Sequence, residues 1–125
     1  MAKRRVLVVD DDHLQLALIT EILEGAGFEP VGLSSAIEAL RVDLSGYAMV
    51  LADVEMPRMD GRAFIAALRD TRQCDVPFAF ISGKADPRML VTDAIKYGAE
   101  FLAKPFEAHE LLELVERMAP EGSPS

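Results

Sequence analysis

Val6-Leu7-Val8-Val9-Asp10-Asp11-Asp12 sets a run of four apolar side chains directly against three carboxylates. An apolar run this short, bounded by turn-forming residues, predicts a buried strand. Three further runs end the same way. Ala48-Met49-Val50-Leu51-Ala52 stops at Asp53, Phe78-Ala79-Phe80-Ile81 at Ser82, and Glu100-Phe101-Leu102-Ala103 at Lys104. Helical patterns separate these runs, so the strands belong to a parallel α/β sheet, whose carboxyl ends converge on one crevice where ligands bind. Asp10, Asp11, Asp53, Ser82 and Lys104 are therefore expected to meet. Carboxylates, a hydroxyl and an ammonium together suit a divalent cation and a phosphoryl group.

The alternation runs the length of the chain. A helix is predicted near 13–25, capped by Asp12, with Leu14, Ala17, Leu18, Ile22 and Ala26 as its apolar face and Gly25-Ala26-Gly27 as its stop. A second strand follows at about 28–32. Ser35 and Glu38 form the signature of a capping box for a helix that ends at Gly46. Asp60-Gly61 opens a third helix with Phe64, Ile65 and Leu68 on one face. Pro77 enters the fourth strand, Asp86-Pro87 starts a fourth helix that ends at Gly98, and Leu111, Leu112, Val115 and Met118 mark a fifth. Strict βα order with right-handed crossovers gives a doubly wound sheet with helices on both faces.

The 125 residues suit one domain, expected over 1–120, with 121–125 as a flexible tail or the start of a linker. A net charge of −8 argues against direct nucleic-acid or anionic-membrane binding, since no basic patch faces phosphates. No apolar run approaches the about 20 residues of a membrane span, and the N-terminal segment lacks the form of a signal peptide, so a cytoplasmic protein is expected. Cys74 has no cysteine to pair with. His13 and His109 lack metal-ligand spacing and read as surface residues.

Val8-Val9-Asp10-Asp11-Asp12, Leu51-Ala52-Asp53-Val54-Glu55-Met56-Pro57-Arg58-Met59-Asp60-Gly61, Ile81-Ser82-Gly83 and Lys104-Pro105-Phe106 together resemble the signature of response-regulator receiver domains, over about residues 4–119. Each piece alone is common; all four in order, each at a strand end, are specific. The resemblance implies a flavodoxin-like (βα)5 fold with strand order 2-1-3-4-5. It implies that Asp53 accepts a phosphoryl group from a partner phosphohistidine, with Mg²⁺ (or Mn²⁺) held by Asp10, Asp11, Asp53 and the Glu55 backbone carbonyl. Lys104 and Ser82 would hold the phosphoryl oxygens, with Lys104-Pro105 in cis. Ser82 and Phe101 would act as the switch. The implied partners are a sensor histidine kinase or histidine phosphotransfer protein and an unidentified downstream protein. That protein would meet the fourth helix, fifth strand and fifth helix, a face decorated by Arg88, Asp93, Lys96, Glu110, Glu113 and Arg117. The chain would act as a monomer or a phosphorylation-dependent dimer, and not as an enzyme beyond its own phosphotransfer and dephosphorylation.

Glu55 and Lys84 occupy the positions that tune dephosphorylation in this family. Their opposite charges are expected to pair over the pocket mouth, obstruct the attacking water and lengthen the phosphoryl lifetime. Gly83 would leave the pocket roof open to a docking donor.

Other readings weigh less. Asp10, Asp11, Asp53, Ser82 and Lys104 could each be ordinary strand-end or capping residues, but not easily all together. A phosphatase of the haloacid-dehalogenase type would need a second Asp where Glu55 stands, and a cap domain. Flavin binding would need a Ser/Thr/Gly loop after the first strand. A pseudo-receiver that only binds partners has no use for the intact acid and lysine set.

Overall fold

A computed structural model describes residues 3–83 and 87–119. Five parallel strands, β1 (Arg5–Val9), β2 (Glu29–Leu33), β3 (Met49–Asp53), β4 (Phe78–Ser82) and β5 (Glu100–Ala103), form one sheet in the order β2-β1-β3-β4-β5. The helices are α1 (His13–Gly25), α2 (Ala36–Ala39), α3 (Gly61–Ala66), α4 (Pro87–Tyr97) and α5 (Ala108–Met118). This is the doubly wound flavodoxin-like arrangement expected from the sequence.

Strand residues alternate between two cores. Leu7, Val9, Val50, Ala52, Phe78 and Phe80 face the layer that contains Phe64, Ile65 and Leu68 of the α3 segment and Leu90 of α4. Val6, Val8, Met49, Leu51, Ala79 and Ile81 face Ile19 and Leu23 of α1 and Leu111, Leu114 and Val115 of α5. Phe64, Phe78 and Phe80 stack edge to face, with centroids 5.7 and 5.2 Å apart. Burial of each such ring stabilises the fold by about 1.5–3 kcal/mol. Both cores grip the central strands, so the ends of β1, β3 and β4 are held rigidly where the polar residues begin.

Local chemistry sets the helix ends. Asp12 Oδ1 accepts from the N–H groups of Leu14 and Gln15, at 3.0 and 3.2 Å. At the other end of α1 the Phe28 N–H reaches Leu23 O and the Gly27 N–H reaches Glu24 O, with Gly27 at φ +92. That pair of bonds is a Schellman stop, and the left-handed backbone favours glycine there. Asp60 Oδ1 caps α3 through the Ala63 N–H at 2.8 Å. Glu110 Oε1 accepts from the Glu107 N–H at 2.7 Å at the start of α5.

Three expectations need correction. The buried face of α1 is Ile19 and Leu23, flanked by Leu16 and Ile22, whereas Leu14 is 85% exposed and Ala17, Leu18 and Ala26 also face solvent. The helix after Ser35 does not run to Gly46. It closes after one turn at Ala39, and a separate 3₁₀ turn, Leu44–Gly46, is capped by Asp43, whose Oδ1 accepts from the Ser45 N–H at 3.0 Å. Asp93 does not decorate the surface of α4: it is 7% exposed and ion-paired with Arg62. Asp86, assigned from sequence as the α4 cap, lies outside the described residues.

Candidate functional site

The register of the sheet builds the site. Val9 of β1 pairs with Ala52 of β3, Asp53 of β3 with Ile81 of β4, and Ser82 of β4 with Ala103 of β5. Asp10, Asp53, Ser82 and Lys104 each stand at or just past these pairs, along the carboxyl edge of the sheet. The Lys104 N–H donates to Ser82 O at 2.8 Å, which fixes lysine and serine side by side.

Asp53 is buried and doubly contacted. Its Oδ1 accepts from the Glu55 N–H at 3.3 Å, and its Oδ2 lies 3.3 Å from Lys104 Nζ. Asp10 is 1% exposed. Its Oδ1 accepts from the Asp12 N–H at 2.9 Å, while its buried Oδ2 has no hydrogen-bond partner. Burial pushes the Asp10 carboxyl up to about 6, with the Asp53 charge adding to the rise and the Asp12 N–H opposing it. Asp11, beside it, is exposed.

Carboxylate oxygens of Asp10, Asp11 and Asp53 lie within 4.8 Å of one another, the one such acidic cluster among the described residues. Carboxylates this close repel, and an orphaned buried oxygen is costly. A hard divalent cation with oxygen ligands relieves both, so this donor set fits Mg²⁺ or Mn²⁺.

Ser82 is buried at the strand end, and Phe101 on β5 is 39% exposed. The Lys104-Pro105 bond is cis. A Cβ at Gly83 would lie 3.4 Å from Lys104 Cβ, so glycine there leaves the lysine stem uncovered. Glu55 is exposed, whereas Lys84 lies outside the described residues, and with it the expected Glu55–Lys84 pair.

The sequence places Asp60-Gly61 at the opening of the third helix, and Asp60 caps it as expected. The structure adds a close approach: the Gly61 N–H donates to Val54 O at 2.9 Å, and a Cβ on Gly61 would fall 2.5 Å from Asp53 O. The signal was the glycine itself, opening a helix where a side chain would normally be tolerated.

A sequence model of the response regulator receiver domain matches residues 6–116. The chain belongs to the response regulator receiver family. Receiver domains serve two-component signalling, and accepting a phosphoryl group is their general function. They bind Mg²⁺ at an acidic pocket and interact with sensor kinases and downstream effectors.

The response regulator protein FleR of Pseudomonas aeruginosa is 38% identical over 120 residues, covering 95% of this chain and 25% of FleR. A protein-glutamate methylesterase/protein-glutamine glutaminase of Hahella chejuensis is 38% identical over 128 residues, covering 94% of this chain and 33% of that protein. This receiver thus spans between a quarter and a third of those curated relatives. Receiver domains are in general not classical enzymes, although that relative carries an enzyme's name. The crystal structure of a response regulator receiver domain protein from Clostridium thermocellum superposes with a TM-score of 0.84 at 27% identity, over 93% of this chain and 94% of the other. Among the described residues, no helix is long and apolar enough to cross a membrane.

Proposed function

We propose that Asp53 is the phosphoacceptor of this receiver and that its phosphorylation depends on a divalent cation at the adjoining acids. The observation that carries this reading is the buried Asp53 carboxylate, 3.3 Å from the Lys104 ammonium and clustered with the orphaned oxygen of Asp10. An Asp53 oxygen attacks the phosphorus of a phosphohistidine on a sensor kinase or phosphotransfer protein. The new P–O bond forms as the P–N bond breaks, and the departing imidazole nitrogen takes up a proton. Lys104 changes partner from the bare carboxylate to a phosphoryl oxygen, and Ser82 donates its hydroxyl to another. Mg²⁺ or Mn²⁺, held by Asp10, Asp11, Asp53 and the Glu55 carbonyl, would supply neutralising charge for the phosphoryl oxygens.

The added charge of about −1.5 to −2 rewards Ser82 and Lys104 only in the phosphorylated state, which shifts the population toward a second arrangement. Ser82 and Phe101 carry that shift to α4, β5 and α5, where a downstream protein or a second receiver docks. Residues 1–120 are the receiver domain in this reading, which works in the cytoplasm without touching nucleic acid.

Borohydride trapping tests the assignment. Reduction of an aspartyl phosphate yields homoserine, so protein treated with acetyl phosphate, Mg²⁺ and borohydride should show that conversion only in the peptide containing Asp53. Conversion at another aspartate, or at none, contradicts it.

A further inference from the structure

α4 exposes two apolar side chains and buries an acidic one. Ile95 is 80% exposed and Val91 45% exposed, while Asp93 on the same helix is buried. The described apolar anchors of α4 are the buried Leu90 and the partly buried Tyr97. What holds Asp93 inside is Arg62 of α3, whose Nε meets Asp93 Oδ2 while its Nη2 lies 3.4 Å from Oδ1. Arg62 directly follows Gly61, and Gly61 is pressed against the main chain of Asp53 and Val54. The backbone that carries Arg62 is therefore held against the end of β3. At the far end of α4, Arg69 Nε donates to Tyr97 O at 3.0 Å and the Tyr97 hydroxyl to Asp70 Oδ2 at 3.1 Å.

A buried carboxylate is tolerated only while it is paired. Among the described side chains, the seat of α4 thus rests on the Arg62 contact together with Leu90 and Tyr97. Leaving that seat returns Asp93 to water, and the Arg62 side chain is already 36% exposed, so neither charge is stranded. Elements that move in switching are drawn from weakly anchored ones. Ser82 ends β4, the strand that precedes α4 in the chain.

We propose that the Arg62–Asp93 ion pair is a latch that holds α4 in its unphosphorylated seat and thereby sets how readily Asp53 takes a phosphoryl group. The second half rests on the Asp53 reading above. In this proposal phosphorylation favours the released position, so loosening the seat raises the phosphorylated fraction, by at most the factor by which the seat is weakened.

Two variants push in opposite directions. Arg62→Ala strands the Asp93 carboxylate in the seat and releases α4. Arg62→Met with Asp93→Leu replaces the pair by apolar contact and tightens the seat. Amide exchange of α4 in the unphosphorylated protein should speed at least fivefold in the first and slow in the second, with β1 and β3 unchanged. Phosphoryl uptake from acetyl phosphate, followed by intact mass, should rise at least threefold in the first and fall in the second. Shifts in the same direction, or none, overturn the latch. If Arg62→Ala does not fold, the double variant decides: slower uptake upholds the proposal, and equal or faster uptake overturns it. If wild-type protein takes up no phosphoryl group, the Asp53 reading fails, and opposed changes in α4 exchange alone uphold the latch while their absence overturns it.

Discussion

Lys104 Nζ reaches over β4 from the end of β5 to lie 3.3 Å from Asp53 Oδ2 at the end of β3. The Lys104 side chain is a quarter exposed, so the attraction is screened, but it still offsets part of the repulsion within the acidic cluster. With a metal ion at the proposed acidic site, it would compete with the ion for the same carboxylate.

Removing that competitor has a defined sign. Lys104→Ala should bind Mg²⁺ several-fold more tightly than wild type, a gain of about 1 kcal/mol. Isothermal titration calorimetry at low ionic strength reads the change directly. Unchanged or weaker binding would show that the lysine and the ion do not share Asp53.

Asp10 imposes a pH-dependent cost. Its carboxyl is raised to about 6, mainly by burial, against 3.8 when unperturbed. Below the unperturbed value both folded and unfolded chains hold the proton, and no cost arises. Between about 4 and 6 the folded state binds more protons, so this group lowers stability as pH rises, and above about 6 the full cost, on the order of 2–3 kcal/mol, is present. Asp10→Asn should therefore stabilise metal-free protein by about 1–3 kcal/mol at pH 7.5, with the gain vanishing near pH 4. Urea unfolding in a chelator measures the difference, and Mg²⁺ should narrow it by stabilising wild type alone.

The two faces of α1 make a matched pair. Leu14→Ser should leave stability within about 0.5 kcal/mol of wild type, because that side chain is almost wholly exposed. Ile19→Ala should cost about 2–5 kcal/mol, since Ile19 is fully buried between β1 and α5. Thermal unfolding separates them, and comparable losses would refute the packing of α1 described above.

That pair also shows what a sequence can carry. Strand ends were legible because each continuous apolar run stops abruptly at a polar residue, and the parallel sheet places all such stops on one edge. The α1 face was not, because Leu14, Ala17 and Leu18 repeat with the same helical period as Leu16, Ile19 and Leu23. Periodicity identifies a helix but cannot choose between two apolar stripes. Only the direction in which α1 meets the sheet decides. Asp93 was misplaced for a different reason: a lone carboxylate on a helix reads as surface, and its partner Arg62 stands 31 residues earlier with no local trace of the pairing. The shortening of α2 follows from Asp43, which captures the Ser45 N–H and starts a new turn.

The central claim is that Asp53 takes a phosphoryl group with the help of the acidic cluster. Intact mass after incubation with acetyl phosphate tests it most directly, comparing wild type with Mg²⁺, wild type with a chelator, and Asp53→Asn with Mg²⁺. The chain contains no tryptophan, so mass is a cleaner probe than fluorescence. One phosphoryl adduct in the first sample and none in the other two is the expected result. An adduct that persists in Asp53→Asn, or a wild type that stays unmodified while folded, would contradict the account.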